Sequence, residues 1–128
     1  MMNVIKEFAQ ETLGCGCPEE VFNQIAHAKD VTLEGGLVVR DRIVIGQRLL
    51  VYVYEDADGG DVPENVIRTL VTSGVRDRGT NNFNRFRLAL LTKKPEDDKE
   101  LSDRAARVIA ESDDRTFVHI VARDSIAF

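Results

Sequence analysis

Tryptophan is absent from the 128 residues, cysteine occurs twice, proline three times, and aromatic side chains make up only 6%. Two cysteines cannot build the disulfide framework that sustains many small secreted domains. So little proline, with nine glycines in no regular period, excludes a collagen-like or proline-rich low-complexity chain. No apolar run is longer than the six residues from Leu49 to Tyr54, where a membrane-spanning helix needs roughly 20. The opening MMNVIKEFAQ has no basic stretch ahead of an apolar one, so no secretory signal is visible and a cytoplasmic location is expected. Positive charge is in deficit too: 17 Lys and Arg stand against 22 Asp and Glu, a net charge of -5. That balance opposes non-specific binding to nucleic acid or to an anionic membrane.

What remains is an ordinary globular composition, 43% hydrophobic and 30% charged. With about 150 residues to a typical domain, residues 1–128 are expected to form one. In the first segment Val4, Ile5, Phe8, Ala9 and Leu13 share a stripe at helical spacing, and Gly14 follows as a C-terminal cap. Pro18 suits the first position of a second helix, Glu19 and Glu20 suit its positive end, and Val21, Phe22, Ile25 and Ala26 form its apolar face, with His27 and Lys29 in its last turn. From Val31 the period changes to that of strands. Gly35-Gly36 permits a turn, Leu37 to Ile45 is rich in β-branched residues but broken by Arg40-Asp41-Arg42, and Gly46-Gln47 suits a tight hairpin into Leu49–Tyr54, with a bulged continuous strand as the competing reading. That strand is apolar on both faces, as in the centre of a covered sheet. Pro63 then opens a helix, Phe86 to Leu91 forms a strand, Pro95 opens another helix, and Phe117 to Ala122 forms the last strand. Glu100 with Arg104 and Asp103 with Arg107 have the spacing of ion pairs on the exposed face of that helix. The expectation is an α/β domain: an N-terminal helical pair, a hairpin and a βαβαβ unit, in a mixed, mostly parallel sheet with helices on both faces.

The chemistry-bearing feature is Cys15-Gly16-Cys17-Pro18, placed at the joint between the two expected helices. Thiols two residues apart can close a small, strained and easily reduced ring, which suits a catalytic or sensing disulfide better than a structural one. Cys17 falls near a helix N-terminus, where a thiolate is favoured, so Cys17 reads as the attacking thiol and Cys15 as its resolving partner. Glu19 and Glu20 oppose that activation. The same pair could hold zinc or copper(I), but a tetrahedral zinc site needs more ligands, from a second copy or from His27 or His119. On the expected helix His27 sits ten residues from Cys17, about 15 Å away at the other end. Alternation places His119 beside Phe117 and Val121 on one sheet face, as a hydrogen-bonded strand residue. Alternatively, both cysteines are small residues packed into a tight joint. The pair ahead of a helix, with proline directly after it, is similar to the motif of thioredoxin-like proteins, with CxC spacing in place of CxxC and a helix in place of the preceding strand. The stretch Leu13 to Phe22, with Asn84-Arg85-Phe86-Arg87-Leu88, resembles a group of small prokaryotic proteins; that resemblance implies no particular chemistry.

Two further clusters are candidates. The carboxyl ends of parallel strands, where ligands tend to bind, supply Glu55, Asp56, Asp58 and Asp61, then Thr92, Lys93 and Lys94, then Arg123 and Asp124. That order is similar to haloacid-dehalogenase-type phosphotransferases, a resemblance that implies Asp56 as nucleophile, Asp58 as general acid and Mg²⁺ between carboxylates. The competing reading is a solvated Asp/Gly turn. Arg76, Arg78, Arg85 and Arg87, interleaved with Phe83 and Phe86, form a positive island able to hold a carboxylate or phosphate. Two function classes follow: a thiol protein acting in redox exchange or metal handling through Cys15 and Cys17, or a non-catalytic module whose arginine loop or sheet edge meets a protein or anionic partner, with a second copy of the chain among the candidates. The sequence designates no cofactor.

Overall fold

A computed structural model describes residues 2–13, 24–33, 36–56, 62–93 and 98–126. The chain begins with α1, Met2–Glu7, which continues into a wider π-helical turn, Phe8–Thr12, closed by the Leu13 N–H donating to the Phe8 carbonyl at 3.0 Å. Next come β1, Ile25–Thr32, β2, Val38–Ile45, and β3, Leu49–Tyr54. Two crossovers complete the chain: α2, Glu64–Thr80, leads to β4, Arg85–Thr92, and α3, Lys99–Ala110, leads to β5, Thr116–Ala122, followed by a short 3₁₀ turn, Arg123–Ser125. The sheet order is β1-β2-β3-β4-β5. No helix among the described residues is long and apolar enough to cross a membrane.

The expected fold class needs correction in two places. Where the second helix was expected, Ile25 to Lys29 form the first half of β1, paired antiparallel with β2 through Ile25↔Ile45 and His27↔Ile43. The cause is visible in burial: Ile25 and His27 turn inward while Ala26 and Ala28 face solvent, a period of two that the helical stripe ending in Ile25-Ala26 conceals. The residues that open the expected helix, with Cys15 and Cys17, lie outside the described ones. With β1 in place of a helix, the 15 Å separation drawn between His27 and Cys17 loses its basis. The sheet, secondly, is not mostly parallel. β1–β2 and β2–β3 are antiparallel, β3–β4 and β4–β5 parallel, so the two kinds are equal.

The β2–β3 hairpin turns where Gly46-Gln47 predicts, with φ of 61° and 55° at the two residues and the Arg48 N–H donating to the Ile45 carbonyl at 3.1 Å. Positive φ at both central positions is the signature of a primed turn, whose twist matches that of the strands. β3 lies at the centre. Leu49, Val51 and Val53 face α1 and its π turn, packing with Ile5, Phe8, Ala9, Leu13, Ile43 and Ile45. Leu50 and Tyr52 face the other way, into a second core with Ile67, Leu70 and Val71 of α2, Leu101 and Val108 of α3, and Phe86, Leu88 and Leu90 of β4. Helices thus cover both faces, α1 on one and α2 with α3 on the other.

Helix α3 starts at Lys99, after the Asp98 side chain caps it by accepting from the Leu101 N–H at 3.2 Å. Its surface pairing is half as expected: Arg104 reaches Glu100 at 3.4 Å, but Arg107 bonds Glu64 on α2 at 2.6 Å.

Candidate anion-binding face

On β4 the alternation that sends Phe86, Leu88 and Leu90 toward α2 sends Arg85, Arg87, Ala89 and Leu91 to the α1 side. Ala89 and Leu91 are covered by the apolar layer around α1. Arg87, nearer the start of the strand, is paired in register with Phe117 of β5, and Ala89 with His119. The result is a small polar surface on two strands: Arg85 exposed, Arg87 buried, His119 half-buried and Phe117 exposed.

Arg87 decides the electrostatics. Its side chain is 8% exposed, its Nη1 donates to the Leu13 carbonyl at 2.7 Å and lies 3.0 Å from His119 Nε2, and its guanidinium carbon sits 4.6 Å from the Phe117 ring centroid. Its Nε is buried with no hydrogen-bond partner, and neither acceptor nor aromatic face carries a full negative charge. Arg78 is the internal comparison. Equally buried, it forks onto Asp113 through both terminal nitrogens and also donates to Thr116 Oγ1 at 3.1 Å. Arg78 holds Asp113 well below the usual carboxylate range. A buried charge is costly unless paired, and among the described residues only Arg78 of the two has a carboxylate. Burial, and secondarily Arg85, lower the affinity of Arg87 for its proton, yet a guanidinium keeps it. Burial, and secondarily the charge of Arg87, lower His119 to about 4. The ring is therefore neutral at neutral pH, and the contact assigns Nε2 as the acceptor and Nδ1 as the protonated nitrogen.

The pH dependence follows from that value. The folded chain resists protonating His119 more than the unfolded chain does, so its contribution is complete above pH 6.5 and is lost as pH falls toward about 4. With allowance for solvent screening of a partly exposed ring, the loss is about 1–2 kcal/mol. Denaturation measured between pH 7 and 4 should show it, and His119→Gln should remove that part of the slope.

The four arginines of the sequence island separate in space. Arg85 and Arg87 share the α1 face; Arg76 and Arg78 belong to α2 on the opposite side. Arg76 lines a cavity of about 300 Å³ with Arg42, Tyr52 and Asp77. The polar groups there are already joined: Arg42 Nε and Nη2 donate to the two Asp77 oxygens at 2.9 Å each, and the Tyr52 hydroxyl donates to Asp77 at 2.6 Å. Arg40-Asp41-Arg42 does not break the strand either. It is the middle of β2, and each residue is stabilised from a different direction. Asp41, fully buried, bonds His27 Nε2 at 2.7 Å with Arg40 Nε 3.6 Å from its second oxygen, which has no hydrogen-bond partner.

At the carboxyl ends of the parallel strands, Glu55 pairs with Arg123 at 3.2 Å, Thr92 Oγ1 donates to Asp98 at 3.3 Å, and Lys93 and Asp124 are exposed. Asp58, Asp61 and Lys94 lie outside the described residues. Both crossovers advance the same way across the sheet with their helices on one face, so the parallel strands contain no switch point at which a crevice would open. Among the described residues no three His, Cys, Asp or Glu side chains gather to hold a metal ion.

Compared with known proteins, the chain matches no family model, no curated protein and no solved structure.

Proposed function

We propose that the chain is a non-catalytic binding module that takes an anionic group, a carboxylate or phosphate, at Arg87, with Arg85 beside it. One observation carries this reading: a guanidinium about as buried as Arg78, yet with no carboxylate among the described residues and with its Nε–H unsatisfied. Buried polar groups are almost always satisfied, so an orphan leaves a donor open to a water, an ion or a ligand. His119 needs no anion to stay neutral, since burial and the charge of Arg87 already hold it so; a bound anion would favour its protonation, which makes the ring a reporter of binding.

Titration of acetate or inorganic phosphate into the full chain at low salt, followed by the His119 ring signals in NMR, tests it. The expected result is a saturable shift that weakens as ionic strength rises. Arg87→Met should weaken binding at least tenfold and stay within about 1 kcal/mol of the parent in stability, because an unpaired charge leaves with the lost hydrogen bond. Arg76→Gln should change nothing. Failure of both anions to move His119, with Arg87→Met severely destabilised, would make the guanidinium a framework element only.

A second reading assigns a thiol role, in redox exchange or metal handling, to Cys15 and Cys17. Its support is Leu13, whose carbonyl Arg87 holds and which precedes Cys15 by two residues in sequence; a guanidinium that reached either sulfur would favour its thiolate. The Arg87→Met variant serves again, since iodoacetamide should then modify the cysteines several-fold more slowly at pH 7. Equal rates remove that support.

A further inference from the structure

The sheet has two edges, and they are built differently. β1 carries Lys29 and, in mid-strand, Asp30 with φ of 52°. A charge and a left-handed residue are devices by which natural edge strands discourage further pairing. β5, Thr-Phe-Val-His-Ile-Val-Ala, has no Lys, Arg, Asp, Glu, Gly or Pro. Its backbone direction follows from one bond: the Phe86 N–H donates to the Arg115 carbonyl at 3.0 Å. In a parallel ladder that bond turns the N–H and C=O of 117, 119 and 121 toward β4 and those of Val118 and Ile120 outward. Among the described residues no strand lies beyond β5.

We infer that β5 is a docking edge for an extended acidic segment of a partner protein, which adds as a sixth strand and sets a Glu or Asp carboxylate against Arg87. This rests on the anion-binding reading above and names its ligand. Neighbouring strands lie about 4.8 Å apart, so an added strand runs about 10 Å from β4. Arg87 already spans the first half of that distance, since its guanidinium lies over Phe117, the β5 residue beside it. A glutamate side chain spans the rest. Arg85, exposed on the same face, and Arg115, exposed at the start of β5, extend the positive surface toward the edge. Main-chain pairing supplies affinity in such strand addition, and side-chain placement supplies selection; here the selected group is an acid.

Charge argues for a different protein over a second copy. Full-length antiparallel pairing of β5 with itself, centred on His119, sets Arg115 opposite Arg123 and Asp114 opposite Asp124. Like charges directly opposed destabilise a sheet.

The probe is a heptapeptide of alternating threonine and valine with one central glutamate, blocked at both ends, and its glutamine counterpart, added to the full chain. The expected result is at least tenfold slower hydrogen exchange at the Val118 and Ile120 amides with the glutamate peptide, and at least tenfold weaker binding of the glutamine one. Val118→Pro removes an outward N–H without touching the β4 ladder, so it should abolish peptide binding while acetate still shifts His119. If acetate shifts His119 but the peptide leaves Val118 and Ile120 unprotected, the docking edge is overturned and the anion site stands. If neither binds, both are overturned. A concentration-dependent dimer that Val118→Pro dissociates would assign the edge to a second copy and overturn the acidic partner. Should Val118→Pro fail to fold, the exchange measurement on the unaltered chain decides alone.

Discussion

Gly74→Ala should lower stability by about 2 kcal/mol or more, although alanine is the better helix former. Within a helix that exchange ordinarily gains about 1 kcal/mol. Here Gly74 lies on the buried side of α2, and a Cβ would stand 2.1, 2.2 and 2.5 Å from three carbons of the Phe86 ring. The ring has nowhere to go. Phe86 is fully buried and meets Tyr52 edge-on, with centroids 4.9 Å apart and planes at 73°, and Tyr52 is itself 1% exposed. Overpacking of a filled core costs about 1–3 kcal/mol, occasionally more, so here it outweighs the gain in propensity. Phe86→Leu in the same chain should relieve the clash, leaving the double variant more stable than the two single effects sum to, with a coupling of about 1 kcal/mol or more. Urea denaturation of the four chains reads this directly; a Gly74→Ala chain as stable as the parent would mean that α2 rides higher on β4 than the ring contact requires.

The larger loss is expected at Asp77. Its carboxylate accepts from Arg42 twice, from Tyr52, and from Asn81 Nδ2 at 2.8 Å. It thus ties β2, β3 and α2 together at one point. Asp77→Ala strands a fully buried phenol and a largely covered guanidinium, and breaking such a pair from one side costs about 3–5 kcal/mol. Tyr52→Phe, which leaves the Arg42 fork intact, should cost only about 1 kcal/mol. Burial pushes the Asp77 carboxyl up, but the bonds from Arg42 and Tyr52 outweigh it and hold the group below its ordinary value. Its contribution is therefore present above about pH 4 and lost on further acidification. If Asp77→Ala and Tyr52→Phe prove equally mild, the triad contributes no net stability and serves alignment alone.

How much of this was legible depended on the distance over which each signal is written. The run from Leu49 to Ala122 carries its periods locally, so the βαβαβ unit could be read directly; at Gly46-Gln47 the sequence offered a hairpin or a bulge, and the β2–β3 pairing selects the hairpin. The second half of β1 shows its strand period from Val31, but the first half could not be read. Its inward positions there are Ile25 and His27, one aliphatic and one polar, and Val21, Phe22, Ile25 and Ala26 fit a helical stripe equally well. His27 faces inward because Asp41 of the neighbouring strand bonds it, a fact of register rather than of local sequence. The arginine island shows the same limit. Four arginines were visible, but that Arg78 meets an acid 35 residues away while Arg87 meets none among the described residues is settled by which helix face and which strand face each occupies. His119 and Phe117 were placed on one face by alternation; the guanidinium between them came from the β4–β5 pairing.

The unbroken strand order bears on how the chain comes to be folded. Every strand lies beside the one made just before it, so none has to wait, edge bare, for a mate encoded further along. Addition at one growing margin keeps the separations in sequence between neighbouring strands short and limits the time during which sticky intermediates persist. On a ribosome such a sheet can be laid down in the order of its synthesis, each new strand finding its mate already made and β5 joining last of the five.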